Sequence, residues 1–332
     1  MKDNCFTQKN KSQIIENIEN NKNIFLGVAT LLIVLYHLPR YFGFFKVFDP
    51  CFIGVDFFLF FSGFSLCYSI TKNSLKDFYK RRFFRIYPMY FILAVVITAL
   101  ASLKFSSFSL IGWLCNITTL SYYKVGGCFV DWYLSSIFYF YLLFPLLFRI
   151  THKRGLIVPI TISIIVCLII SFYDIDWWYG CAIGRLPIFS LGLFLFVDNS
   201  KNKKYFLFCS AFYFVLFVIS VILYKIGAYM RGYFLTDMIT PTILLFFAVV
   251  LCILPTFSEG KIGSFIAKIG TYSLEIYVAN VITMKSIILI NEYFYCNCHI
   301  MCLVLYFLLN ISIAFILIKI NSIIKRLFIF HK

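Results

Sequence analysis

Four ionisable side chains stand inside long apolar runs of this chain: His37, Asp56, Arg185 and Glu275. Charge in hydrocarbon is costly, so such residues point to a site before they point to packing. His37 and Asp56 lie nine residues before and ten residues after a turn near residue 46, so two helices joined there place them at one depth. A carboxylate beside an imidazole raises its basicity and fixes its tautomer, the wiring of a general base. The bland alternative is that both line a wet outer cavity without doing chemistry. Lys80, Arg81, Arg82 and Arg85 cluster at the mouth of the following apolar run. Arg82 and Arg85, three apart, would share a helix face and suit bidentate phosphate recognition, although a purely topogenic anchor carries the same spacing. Arg185 opens its run and either snorkels or faces a cavity. Glu275, too deep to snorkel, turns toward a polar partner or carries a proton, and Tyr277 and Asn280 lie on nearby faces.

The elements that must position these residues follow from composition. Of 332 residues, 62% are hydrophobic and only 13% charged, which excludes a soluble fold, a disordered chain and a small disulfide scaffold. An all-α polytopic membrane protein is expected, with ten transmembrane helices at 24–39, 51–70, 86–103, 131–150, 155–173, 182–198, 205–224, 236–255, 265–285 and 300–320. The weaker stretch 107–123 is placed as a re-entrant or surface segment outside, because an eleventh crossing would invert every later loop. With ten crossings, the inner segments 1–22, 72–85, 149–154, 198–204, 256–268 and 319–332 hold 22 Lys and Arg against 6 Asp and Glu, and the rest of the chain holds 8 of each class. The net charge of +16 therefore reads as positive-inside topology with both termini cytoplasmic, and not as a nucleic-acid surface.

No repeat or linker divides the chain, so a cytoplasmic segment 1–22, one membrane domain 23–322 and a basic cytoplasmic tail 323–332 are expected. The first span is read as uncleaved. Cys67, Cys167, Cys209 and Cys252 read as small buried hydrophobes. Cys296-x-Cys298-His299-x-x-Cys302 matches no zinc spacing, so no metal is expected, and Cys128 or Cys181 could join a disulfide. Asn116-Ile-Thr118 forms a sequon. Aromatic residues such as Trp177-Trp178-Tyr179 suit an interfacial belt, or stacking near a sugar site.

Five stretches taken together resemble the acyltransferase-3 family of integral membrane acyltransferases. They are Leu32-Ile33-Val34-Leu35-Tyr36-His37; Gly54-Val55-Asp56-Phe57-Phe58 through Ser62-Gly63-Phe64; and Arg82-Phe83-Phe84-Arg85-Ile86-Tyr87-Pro88. The remaining two are Trp132-Tyr133-Leu134 with Tyr141-Leu142-Leu143-Phe144-Pro145, and Ile269-Gly270-Thr271-Tyr272-Ser273-Leu274-Glu275-Ile276-Tyr277.

The resemblance implies transfer of an acyl group, usually acetyl, from cytoplasmic acetyl-CoA or another acyl-CoA to a hydroxyl of an extracytoplasmic glycan. His37 and Asp56 then take the catalytic places, Arg82 and Arg85 hold the donor, and Arg185, Glu275, Trp132, Tyr133, Tyr277 and Asn280 line the substrate path. Donor, glycan acceptor, lipid bilayer and glycosyltransferases of a polysaccharide locus are the implied partners. No resident cofactor is implied, and the location is the inner (plasma) membrane. Three places depart from the family pattern: Leu26 and Asn280 stand where arginine and histidine are common, and Ser136-Ile137 where glutamate often occurs. The rival class is a glycan transporter or flippase using Glu275, Arg185 and His37 as a path, against which the absence of internal symmetry argues. A succinyl donor is the variant within the enzyme class.

Overall fold

The computed structural model describes residues 13–38, 46–106, 109–125, 130–172, 177–197, 260–294 and 299–328. The expected spans 205–224 and 236–255 lie outside the described residues, as do Cys128, Cys296 and Cys298. The described chain is helical: α1 (Gln13–Asn20), α2 (Lys22–His37), a 3-10 helix (Lys46–Ile53), α3 (Gly54–Lys72), α4 (Leu75–Lys104), α5 (Leu110–Ile117) and α6 (Leu120–Val125). There follow α7 (Trp132–Arg154), α8 (Ile157–Phe172), α9 (Trp177–Ile183), α10 (Leu186–Val197), α11 (Lys261–Thr271), α12 (Ser273–Phe294) and α13 (His299–Phe328).

Among the described residues, five helical stretches are long and apolar enough to cross a membrane: Cys51–Lys72, Leu75–Lys104, Trp132–Arg154, Tyr179–Val197 and Leu303–Leu327. Lys22–His37 and Ile157–Val166 are apolar but shorter. From residue 109 the stretch expected as re-entrant or surface forms the short helices α5 and α6, of 8 and 6 residues. Leu110, Ile111, Leu114 and Leu120 stay exposed on them. Asn116 is buried there, its Nδ2 donating to Thr98 Oγ1 at 3.0 Å and its carbonyl accepting from the Tyr90 hydroxyl at 2.6 Å, so the sequon asparagine is committed to packing.

Two expected boundaries move. Helix α4 begins at Leu75, well before residue 86, because the Ser74 hydroxyl accepts the Asp77 N–H at 3.1 Å and donates to the Asp77 carboxylate at 2.7 Å. Arg82 and Arg85 therefore sit on this helix, as their spacing requires. Pro88 removes one hydrogen bond inside that helix. The expected span 265–285 is broken at Tyr272 into α11 and α12.

Helices meet most closely where glycine removes the side chain. A Cβ on Gly27 would lie 2.0 Å from the Ile266 carbonyl oxygen, and one on Gly270 would lie 1.8 Å from that of Asn23, which locks α2 onto α11. The second crossing repeats the device: Gly63 against Phe189 and Gly192 against Phe60, each with 2.1 Å to a carbonyl oxygen, press α3 onto α10. Lipid tails are as apolar as leucine, so close backbone packing, and not exclusion of water, holds such pairs. Phe57, Leu59, Phe64, Met89, Tyr90, Leu134 and Phe189 fill the core around them.

Any side chain at a notch must push backbone apart. Gly63→Val and Gly27→Val should each lower stability by about 1–3 kcal/mol or prevent folding. Gly180→Ala, whose Cβ meets nothing within 4 Å, should leave it unchanged. Thermal unfolding in detergent compares the three.

Candidate active site

Helix α2 ends at His37, half-buried. The Leu38 N–H donates to Leu35 at 3.2 Å, which strips Val34 of the donor four residues on that its carbonyl would have in a continuing helix. Tyr306 of α13 fills that place, its hydroxyl donating to the Val34 carbonyl at 3.1 Å. The Asn280 amide nitrogen donates in turn to the Tyr306 hydroxyl, and Asn280 Oδ1 is hydrogen bonded to His37 Nδ1. Three helices thus meet on one imidazole.

Asp56 lies in the first turn of α3 and is buried, but its ion-pair partner is Arg185, whose Nε stands 3.1 Å from Asp56 Oδ1. Arg185 also donates from Nη1 to the Cys181 carbonyl at 2.8 Å, and its guanidinium lies over the rings of Trp132 and Phe52 at 5.0 and 5.8 Å. The expectation that Asp56 orients the imidazole is therefore corrected: the hydrogen bond at Nδ1 comes from Asn280. Arg185 faces inward and does not snorkel.

The break at Tyr272 puts Glu275 near a helix start. It sits in the first turn of α12, where Asn321 Nδ2 donates to Oε1 and Lys325 Nζ lies 3.6 Å away, both from α13. Tyr277 points the other way. Its hydroxyl donates to Asp131 Oδ2 at 2.8 Å, and Asp131 caps α7 by accepting the Leu134 N–H at 2.7 Å. This bond aligns Trp132 and Tyr133, the first residues of α7, with α12.

Between α2, α3, α4, α7 and α12 lies a cavity of about 650 Å³, counted with its open mouth. Lys22, Arg82 and Arg85 line one end, and Phe58, Tyr133 and Tyr277 wall it elsewhere, the two tyrosine rings 5.2 Å apart. Arg82 Nε is buried and has no hydrogen-bond acceptor among the described residues. Burial, with Arg85 and Arg82 close by, pulls Lys22 down to about 8. Three cations on one cavity with an unused buried donor can hold a polyanion. Ser62, Ser65 and Ser273 add hydroxyls to the wall.

The acyltransferase-domain family model matches residues 25–321. The chain belongs to the acyltransferase-3 family. No curated protein and no solved structure matches it. As a family member, it is a membrane acyltransferase, and the departures from the family pattern acquire places. Leu26 and Ile137 both line the cavity, while the α2 cation in it is Lys22, four residues before Leu26. Ser136 turns back to its own helix, donating to the Tyr133 carbonyl at 2.9 Å.

Asp131, Tyr306 and Asn321 escaped the sequence reading as site residues. Only Asp131 carried a signal, an N-cap aspartate before Trp132.

A nearly fully buried ion pair resists the loss of one partner more than the loss of both. Asp56→Leu or Arg185→Met alone should cost about 3–5 kcal/mol, and the double variant markedly less than the sum. Denaturation of the three proteins in one detergent reads this.

Proposed function

We propose that this acyltransferase moves an acyl group, acetyl in the simplest case, from cytoplasmic acyl-CoA to a hydroxyl of an extracytoplasmic glycan, such as a cell-surface polysaccharide or lipid-linked sugar. The observation that carries the reading is the cavity with Lys22, Arg82 and Arg85 at one end. A CoA ester offers phosphates for the cations and a long uncharged arm that suits the aromatic passage. The charge bias of the chain supports placing that end at the cytoplasm of the plasma membrane.

His37 stands at the far end of α2 from Lys22, about 22 Å along the helix axis for its 16 residues. That length separates recognition of phosphate from chemistry. The acceptor oxygen attacks the thioester carbonyl, the C–S bond breaks, His37 Nε2 takes the hydroxyl proton, and the proton passes to the departing thiolate. Asp56 serves by holding Arg185 and the Trp132 ring beside the route and not as the imidazole's hydrogen-bond partner.

His37→Ala should abolish transfer while the protein inserts at normal level, as read by labelled acetyl in surface glycan; full retention of acetate removes the base. Arg82→Ala should weaken acetyl-CoA binding at least tenfold, and unchanged affinity returns the cluster to topology.

The lysine adds a pH dependence. Its folded pKa is lowered to about 8, so Lys22 carries charge below that value and loses it as pH rises through it. Acetyl-CoA affinity should therefore fall between about pH 7 and 9 in calorimetric titration, with proton uptake on binding near pH 8. Lys22→Arg should flatten the profile.

A further inference from the structure

We infer that Asn280 and Tyr306 are positioning residues that hold His37 with its proton on Nδ1, so that Nε2 presents the lone pair. The inference deepens the reading of His37 as the base and rests on it for its catalytic consequence. Its structural half stands on hydrogen-bond polarity alone.

The polarity is set at the Val34 carbonyl, which can only accept. The Tyr306 hydroxyl spends its single proton there, at 3.1 Å, and offers lone pairs to the Asn280 amide nitrogen. An amide that donates from Nδ2 on one side turns its oxygen to the other. That oxygen meets His37 Nδ1, and an oxygen without a proton is a partner only for an N–H. A neutral imidazole has one proton, so Nε2 carries a lone pair in place of a proton. Asn280 and Tyr306 are 0% and 2% exposed, which keeps water from supplying a substitute donor or acceptor. The Val34 carbonyl is itself in place because α2 stops at His37, so the helix end that positions the ring also sets its tautomer.

A carboxamide and a neutral imidazole share a pattern of one acceptor facing one way and one donor facing the other. Histidine at position 280 therefore preserves the relay, whereas leucine of similar volume removes it.

The experiment uses the full chain in detergent with ¹⁵N-labelled histidine rings, the His37 resonances being those lost in His37→Ala, with acetyl transfer measured on the same preparations. Wild type should show the Nδ1–H signature at His37. Asn280→Leu should shift the ring toward Nε2–H and lower transfer about 10²–10⁴-fold. Asn280→His should restore both. Tyr306→Phe, which removes one oxygen remote from the ring, should loosen the tautomer and lower transfer less, and it covers the case in which Asn280→Leu does not fold. An Nε2–H signature in wild type, or an unchanged Nδ1–H signature in both Asn280→Leu and Tyr306→Phe, overturns the inference. Transfer that persists in His37→Ala while the tautomer follows position 280 overturns the base and leaves the relay standing.

Discussion

A donor or acceptor left unmatched in hydrocarbon costs several kcal/mol, so each polar group in a helix bundle must be met by another from a neighbouring helix. Helix α12 shows what this constraint builds. Glu275 meets Asn321, Tyr277 meets Asp131, Asn280 meets His37 and Tyr306, and Lys285 donates to the Val130 carbonyl at 3.0 Å. Those bonds leave the helix on several sides, so they fix its rotation as well as its depth. Tyr277 of the cavity wall and the partner of the imidazole are set by that one rotation.

The glycine crossings add a second constraint to this polar frame. They bring α2 onto α11 and α3 onto α10 at backbone distance, which leaves the wider space between α2, α3, α4, α7 and α12 for the cavity. Close packing at the seams and open space between the other helices divide the labour.

The helices were legible in the sequence, and their mutual placement was not. The apolar runs gave the helices that carry His37 and Asp56, but where those helices touch is set by side-chain volume: Gly54 seats on Ala29 and Ile33, about one to two turns before His37, so Asp56 packs away from the level of the imidazole. Arg185 takes the carboxylate there. Arg82 and Arg85 were readable because a spacing of three is itself a statement about azimuth, and the structure puts both on the cavity. Nothing in its apolar run distinguishes Tyr306 from other aromatics; only the Val34 carbonyl, a product of where α2 stops, gives it a task. Asn280, which looked like a loss against the family pattern, occupies a place that needs a donor and an acceptor back to back, and its carboxamide has both.

The hydrogen bond between His37 and Asn280 joins positions 243 residues apart. A ribosome delivering this chain helix by helix therefore releases the imidazole into the bilayer long before its companion exists. During that interval α2 carries a glycine notch with nothing seated in it and a carbonyl with no hydroxyl to receive. The relay around His37 is incomplete until Asn280 and Tyr306 have been made, and α2 must be sheltered by insertion machinery or by lipid until they arrive.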